Sequence, residues 1–140
     1  MNQKVQGNSY LIINLIFAGV IIAILVYSFL FSTEGQKHPV PSATEWFSEN
    51  PVPSTGLSRS FSEIVRFNFG EARHYNRYGI RVFLFFLIQL VLRVAVSGFV
   101  MYGDSRHIKS IITMDVLLSG SLFIVCFWPF LVFLIREYIP

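Results

Sequence analysis

The sequence predicts an all-α integral membrane protein, a three-helix bundle with a short amphipathic interfacial helix in its first connector. Three long apolar stretches predict it, at residues 10–31, 82–102 and 116–135. Each is long enough to cross the ~30 Å hydrocarbon core of a bilayer as a helix. The composition agrees, since 54% of the 140 residues are hydrophobic and the mean hydropathy is +0.58. We therefore expect a single transmembrane domain, residues 1–140, with the bilayer as its main solvent.

The first apolar stretch is predicted to be a retained membrane anchor. It carries no charge from Val5 to Thr33, a run much longer than the ~7–15 apolar residues of a signal peptide. No small-residue cleavage site follows it. Tyr10 and Tyr27 lie near its two ends, where tyrosines commonly anchor a span at the membrane interface.

The first connector, residues 32–81, divides into an extended part and a helical part. Residues 32–53 hold four prolines and several Ser, Thr and Glu residues, a composition typical of a water-facing segment without helix. A capping box formed by Ser60 and Glu63 then predicts the start of a helix at about residues 58–67. Its apolar face would consist of Leu57, Phe61, Ile64 and Val65. That face could lie in the membrane interface or pack on the transmembrane helices.

The basic residues concentrate in the second half of this connector. Residues 67–70 interrupt the amphipathic helix, and another turn or two is expected before the second span. On a continuous helix, Arg73, Arg77 and Arg81 would line one side. We expect this region to bind anionic lipid headgroups, through Arg59, Arg66, Arg73, Arg77 and Arg81. Nucleic acid is not an expected partner, because such binding needs a denser basic face on a soluble module.

A short polar connector, residues 103–115, makes the second and third spans an antiparallel hairpin. The apolar residues just before Asp115 indicate that the third helix starts ahead of it, and Pro129 is expected to kink that helix. With three spans, the long connector and the C-terminus share one side of the membrane. That side carries more Lys and Arg, so the positive-inside rule places it in the cytoplasm.

Arg93 is the most unusual residue, because it falls near the middle of the second span. A charge there costs ~2.5–3.5 kcal/mol on the translocon scale and needs compensation. Gln89, Arg93 and Ser97 are spaced by four and form a polar stripe. Comparable stripes are predicted on the third span at Asp115, Ser119, Leu122 and Cys126, and on the first at Asn14, Ala18 and Ser28.

Asp115 is the acid within reach of Arg93, but the predicted spans place it near the connector, ~13 Å away along the membrane normal. A direct ion pair is one possibility. Snorkelling of Arg93, a water, a backbone carbonyl or a carboxylate from another subunit are the alternatives. We expect Gln89, Arg93, Ser97, Asp115 and Ser119 to lie in the bundle interior or against a partner.

The sequence contains no recognisable catalytic set, metal site or cofactor site. His38, His74 and His107 lie in different segments without Cys or paired carboxylates at metal-ligand spacing. Nothing resembles a nucleophile elbow. Cys126 is the single cysteine, and we expect it to be a small packing residue. No catalytic residue, metal or cofactor is therefore predicted.

One stretch resembles a known family. Pro53, Gly56, Leu57 and Arg59, followed by Tyr75-Asn76 before an apolar helix, are similar to the signature of a bacterial family of small membrane proteins designated domain of unknown function 2752. That signature runs roughly Cys-Pro-x-Cys-Gly-Leu-Thr-Arg, and Val52 and Thr55 replace both cysteines here. The resemblance covers about residues 52–95. It implies a protein of the bacterial inner membrane, without a thiol or metal role for the missing pair.

These observations favour a non-enzymatic membrane subunit that docks on other membrane proteins or on itself. Three helices leave large surfaces uncovered, and small residues such as Gly98 and Gly120 favour close helix packing in lipid. The alternative is a small transporter or channel component, in which Arg93 and Gln89 line a polar path through the membrane. A membrane enzyme acting on lipid ranks third, because it lacks a general base.

Overall fold

The structure, a computed structural model, describes residues 3–30, 53–102 and 107–138. These residues form five α-helices and no strand, which confirms the all-α prediction. The helices are α1 (Gln3–Leu30), α2 (Leu57–Val65), α3 (Phe69–Tyr75), α4 (Gly79–Tyr102) and α5 (Ile108–Tyr138). Residues 32–52 of the predicted extended segment and residues 103–106 of the predicted polar connector lie outside the described residues.

Three of the helices are long and apolar enough to cross a membrane, so the chain is a multi-pass membrane protein. The spans are Gly7–Leu30, Gly79–Tyr102 and Ile108–Arg136, with mean hydropathies of 2.6, 2.2 and 2.3. A helix suits this environment because it satisfies its backbone hydrogen bonds internally where water is absent. Pro129 lies inside α5, which continues past it.

The third span begins earlier than the apolar stretch alone indicated. α5 starts at Ile108, eight residues before the apolar stretch begins at 116, which agrees with the prediction that the helix starts ahead of Asp115. The polar residues 109 and 110 are accommodated in its first turn. Asp115 consequently lies two turns inside the helix instead of at its end. This shift changes the predicted depth of Asp115 relative to Arg93.

The fold consists of two compact units, each described by itself below. The first is drawn from Met1–Ala23 and Phe85–Val125, and the second from Ile24–Leu84 and Cys126–Pro140. The first unit therefore contains parts of the three apolar helices. The second contains α2 and α3 together with the C-terminal end of α1, the N-terminal end of α4 and the C-terminal end of α5.

In the second unit, α2 begins about one turn earlier than a cap at Ser60 would place it, so the capping-box prediction is wrong. Its N-cap is Gly56, in the left-handed conformation with φ 77°, and no side chain caps the helix. Ser60 lies inside α2, where its hydroxyl donates to the Ala72 carbonyl of α3 at 2.8 Å. Instead of capping its own helix, Ser60 joins α2 to α3.

The turn before α2 is held by the end of α3. The Asn76 side-chain amide donates to the carbonyls of Pro53 and Thr55, at 2.8 and 2.7 Å, and its oxygen accepts from the Tyr78 backbone N–H at 2.8 Å. A Cβ added to Gly56 would lie 2.4 Å from the Tyr75 carbonyl oxygen. Glycine is needed there because of both the positive φ and this close backbone approach.

The apolar face of α2 packs against the rest of the second unit. Phe61 and Ile64 are only 5% and 6% exposed, and the Phe61 ring meets the Phe83 ring of α4 edge-on, with centroids 5.3 Å apart. Of the two alternatives for this face, the structure supports packing on the protein. Ser62 and Glu63, expected on the polar side, are buried as well.

Polar side chains in and just after α2 donate hydrogen bonds to backbone carbonyls at the C-terminal end of α1. The last four carbonyls of a helix have no partner within it, and two of these belong to Ser28 and Phe29. The Ser62 hydroxyl donates to the Ser28 carbonyl at 3.0 Å. Arg66 donates to the Phe29 carbonyl at 3.2 Å and to the Ser62 hydroxyl at 2.7 Å. A cation at a helix C-terminus also complements the helix dipole.

α2 ends in a Schellman motif whose left-handed residue is Phe67. The Phe67 N–H bonds the Ile64 carbonyl at 2.9 Å, and the Asn68 N–H bonds the Glu63 carbonyl at 2.9 Å, the pattern that normally places glycine at this position. Phe67 has φ 64°, which costs a residue with a Cβ about 1–2 kcal/mol. Phe67 and Phe69 are 80% and 48% exposed, and we call this pair the aromatic elbow.

The arginine ladder expected on one continuous helix does not form. Asn76 is extended, with φ −152° and ψ 120°, and separates α3 from α4. Arg73 consequently lies in α3, Arg77 in the intervening turn and Arg81 in α4. The helix is interrupted there because the Asn76 side chain is hydrogen-bonded to the carbonyls of residues 53 and 55.

The turn at Gly56 gives a testable prediction. We expect Gly56→Ala to lower the free energy of unfolding by about 1–3 kcal/mol, because alanine there combines a left-handed backbone with a clash against the Tyr75 carbonyl. Gly70→Ala is the matched control, since a Cβ at Gly70 meets nothing within 4 Å and alanine favours helix. Reversible unfolding in mixed detergent micelles measures both, and equal stability of the two variants would contradict the prediction.

Candidate functional site

An ion pair joins α4 and α5 within the first unit. Arg93 Nη2 is 2.5 Å from Asp115 Oδ1, and both side chains are buried, at 9% and 2% exposure. Arg93 lies nine residues before the end of α4, and Asp115 seven residues after the start of α5. Their depths therefore differ by only about 3 Å at ~1.5 Å per residue. The early start of α5 is the reason a direct pair forms.

Three further polar side chains bind this pair. The Tyr10 hydroxyl donates to Asp115 Oδ2, and Arg93 Nη1 donates to Asn14 Oδ1 at 2.6 Å. Arg93 Nη2 also donates to the Ser119 hydroxyl at 2.6 Å. The two charged groups thus have partners on α1, α4 and α5. We call Tyr10, Asn14, Gln89, Arg93, Asp115 and Ser119 the polar cluster.

The cluster arises from helical periodicity on each of the three apolar helices. Each helix contributes two residues four positions apart, which lie on one face. The pairs are Tyr10 and Asn14 on α1, Gln89 and Arg93 on α4, and Asp115 and Ser119 on α5. The three helices turn these polar faces toward each other, because exposing a polar side chain to lipid costs free energy.

Ser119 connects the ion pair to Gln89. Its oxygen lies 3.3 Å from Gln89 Oε1 and 3.4 Å from Asp115 Oδ1. A serine hydroxyl has a single proton, so it can donate to only one of these acceptors at a time. Ser119 therefore has two alternative hydrogen bonds, one within α5 and one to α4.

Three buried N–H groups of the cluster have no acceptor among the described residues. They are Asn14 Nδ2, Gln89 Nε2 and Arg93 Nε. Buried polar groups are generally hydrogen-bonded to protein or to ordered water, so these donors mark the part of the cluster able to take an additional acceptor. The cluster has no net formal charge, because Arg93 and Asp115 offset each other.

Tyr10 is the member of the cluster that sequence analysis missed. Its position near the start of the first span suggested an interface anchor, whereas the structure shows its hydroxyl bound to Asp115. The signal was the spacing, since Tyr10 precedes Asn14 by four residues. Gly7, three residues earlier, lies close to α5, where an added Cβ would be 3.1 Å from Ile108 Cδ1. The small residue allows α1 to approach α5 at this end.

The remaining predicted site residues occupy different environments. Ser97 is buried but makes none of the cluster's hydrogen bonds among the described residues.

In the second unit, Arg66 is half-buried on the end of α1, whereas Arg59, Arg73, Arg77 and Arg81 are exposed. Arg77 lies over the Tyr78 ring, 5.8 Å from its centroid. Ser28, predicted to share the stripe of Asn14, instead bonds the Ile24 carbonyl at 2.9 Å.

Side chains that could bind a metal are dispersed in the part of the chain that the structure describes. No group of three His, Cys, Asp or Glu side chains there could hold a metal ion. His74 and His107 are exposed in different units, and Cys126 is a buried free cysteine. His38 lies outside the described residues.

Comparison with known proteins adds no relative. No family model matches the chain, and neither a curated protein nor a solved structure matches it. The resemblance to the family of unknown function 2752 stays a prediction carried by the residue pattern from Pro53 to Asn76.

The ion pair gives a second prediction. We expect Asp115→Leu to lower stability by about 3–5 kcal/mol, because it leaves the Arg93 charge buried without its partner. The double variant Arg93→Met, Asp115→Leu should be more stable than Asp115→Leu alone, since it removes both charges together. Unfolding in mixed micelles measures the wild type, each single variant and the double variant.

Lys109→Met is the control for this series, because it removes an exposed cation from the first turn of the same helix and should change stability by less than about 1 kcal/mol. A double variant whose loss equals the summed losses of the two single variants would show that Arg93 and Asp115 do not interact energetically.

Proposed function

We propose that this chain is a non-enzymatic accessory or assembly subunit of a larger membrane complex. Its transmembrane helices bind another integral membrane protein or a second copy of the chain. The observation that carries the proposal is an exposed pair of small residues on α1, Gly19 and Ala23. They lie four residues apart on one face, and a Cβ at Gly19 would meet nothing within 4 Å.

Small residues at this spacing favour helix association in lipid. Lipid tails are as apolar as the helix surface, so helices associate through close packing of their backbones, and small side chains permit it. A glycine that has no packing partner among the described residues leaves such a surface open. Isoleucine, valine and phenylalanine dominate the other exposed positions of α1, and these can face lipid without any partner.

The extent of burial supports the same proposal. In the most apolar window of each span, 11% of α1 and 6% of the third span are buried within the chain, against 33% of α4. α4 is therefore the helix most covered by the chain itself. α1 and α5 have the larger area available to lipid or to neighbouring helices.

The chemistry of the polar cluster supports a non-enzymatic role. Arg93 and Asp115 bind each other, and the Tyr10 hydroxyl donates a hydrogen bond to the Asp115 carboxylate. These contacts join three helices and pair the two charges with each other, which is the arrangement of a structural ion pair. The cluster is best explained as a structural hydrogen-bond network that stabilises the packing of α1, α4 and α5.

The proposed location is the cytoplasmic membrane of a bacterium. The support is the resemblance to the bacterial family of unknown function 2752. Three of its matching residues, Pro53, Gly56 and Asn76, take part in one hydrogen-bonded turn. The turn needs a glycine at position 56 and the Asn76 side-chain amide, which is a physical reason for these two residue types to occur together.

Substitution of Gly19 tests the proposed subunit role. We expect Gly19→Leu to reduce the yield of the native complex by about tenfold or more, because the added side chain keeps a partner helix at a distance. Ile22→Leu is the matched control, as it changes an exposed residue of the same helix without adding volume. Native mass spectrometry of the chain extracted from its own membranes in nanodiscs gives the stoichiometry. A folded wild-type monomer with no bound protein would contradict the proposal.

A second candidate, a small transporter or channel component, is favoured by the unpaired buried donors Asn14 Nδ2, Gln89 Nε2 and Arg93 Nε. N–H groups that lack acceptors could bind a permeating water or anion. Such a path would run along the Arg93 and Gln89 side of α4, as the sequence alternative required.

Gln89→Leu separates the two candidates, since it removes an amide whose N–H groups lack an acceptor among the described residues while leaving the ion pair in place. For a subunit, complex formation and stability should be unchanged or slightly improved, because the lost group had an unsatisfied donor. For a transporter, proton or chloride flux into proteoliposomes of the purified chain should fall. Measurable wild-type flux that Gln89→Leu abolishes and Ile88→Leu preserves would favour the transporter.

A further inference from the structure

The aromatic elbow, Phe67 and Phe69, is a surface feature that neither the polar cluster nor the spans explain. The two rings meet edge-on, with centroids 6.3 Å apart, and both are exposed although they are large and apolar. Phe67 also occupies the left-handed position of a Schellman motif, where glycine would be free of strain. A strained backbone that presents an exposed ring indicates that the ring has a use outside the fold.

The elbow lies where two spans leave the hydrocarbon. α2 bonds the last turn of α1 through the Ser28 and Phe29 carbonyls. It also meets the first turn of α4, because a Cβ at Gly79 would lie 1.9 Å from the Ser60 hydroxyl. The first span ends at Leu30 and the second begins at Gly79. The loop between α2 and α3 is consequently at the level of the membrane interface.

The charges around the elbow complement an anionic surface. Residues 53–84 contain five arginines and two glutamates, and Arg59, Arg73, Arg77 and Arg81 are exposed. Of the two glutamates, Glu63 is buried, where Asn68 donates to it at 2.9 Å. Exposed rings beside basic residues are typical of a segment that enters the headgroup region of a bilayer.

We propose that the aromatic elbow inserts into the lipid interface, with Phe67 and Phe69 among the upper acyl chains and the exposed arginines on the phosphates of anionic lipids. The apolar face of α2 is used inside the protein, so the elbow is the part of this segment that contacts lipid. A bilayer fits better than a protein groove as the occupant because the rings and charges lie at the level where two spans end.

Tryptophan fluorescence in liposomes tests this directly. Trp46 and Trp128, the two native tryptophans, are changed to phenylalanine, and Phe67→Trp is added. The full chain is reconstituted in vesicles of phosphatidylcholine and phosphatidylglycerol. We expect a blue-shifted emission, strong quenching by phospholipids brominated near the headgroup end of the acyl chain, and little quenching by aqueous acrylamide.

Matched labels make the result specific. Glu71→Trp in the same background labels an exposed acidic position of α3, and we expect acrylamide to quench it and brominated lipid to leave it bright. Phe69→Trp reports on the elbow without altering the strained position. Phe67→Gly, which relieves the positive φ, should raise the thermal stability of the detergent-solubilised protein.

Two outcomes would overturn the proposal. If acrylamide quenches the Phe67→Trp and Phe69→Trp variants as strongly as the Glu71→Trp variant, the elbow lies in water. Accessibility in liposomes of the pure chain combined with protection in native membranes would assign the elbow to a protein partner instead of lipid.

Discussion

The ion pair between Arg93 and Asp115 is the interaction on which the first unit depends. A charge in the middle of a span is unfavourable in hydrocarbon, and each member of the pair removes that penalty only if the other lies at the same depth. Because the two are on different helices, α4 and α5 must keep this register. Tyr10 and Asn14 extend the requirement to α1. Burying the two charges is tolerated only when the three helices take one specific arrangement. Hydrophobicity alone would not specify that arrangement, because all faces of an apolar helix are compatible with lipid.

In the second unit, too, polar groups are paired with partners from other segments, but here these groups are backbone carbonyls and not charged side chains. The terminal carbonyls of α1 accept from Ser62 and Arg66, and the carbonyls of the turn before α2 accept from Asn76. The last carbonyls of a helix have no partner within it, and a carbonyl that is buried without a partner is costly. The short helices therefore act as a cap on the end of a span. Phe67 is the exception, since its conformation satisfies the carbonyls of α2 while carrying a strain that glycine would avoid.

The charged groups inside the protein have partners within the chain, whereas several surface residues have no contact in the described part of the chain that explains them. Inside, the charges are paired within the chain, so a partner protein is not needed to neutralise Arg93. Outside, the small residues of α1 and the aromatic elbow have no contact among the described residues that explains them. The proposed subunit role and the proposed lipid contact both rest on these surfaces. They concern different parts of the chain, a mid-span face of α1 in one case and the loop between α2 and α3 in the other.

The three spans and the polar faces of α4 and α5 could be predicted from the sequence, because hydropathy and helical periodicity are local properties of the chain. The interruption between the two short helices was predicted as well, although it lies at residues 66–68 and not at 67–70. The partner of Arg93 could not, since it depends on α5 beginning at Ile108 and on which helix faces meet. Ser60 shows the same limit: its spacing from Glu63 indicated a cap, but the approach of α3 made Ala72 its acceptor. Local pattern determined where helices form. Only the tertiary structure decided which polar groups bind, because those contacts join residues far apart in the chain.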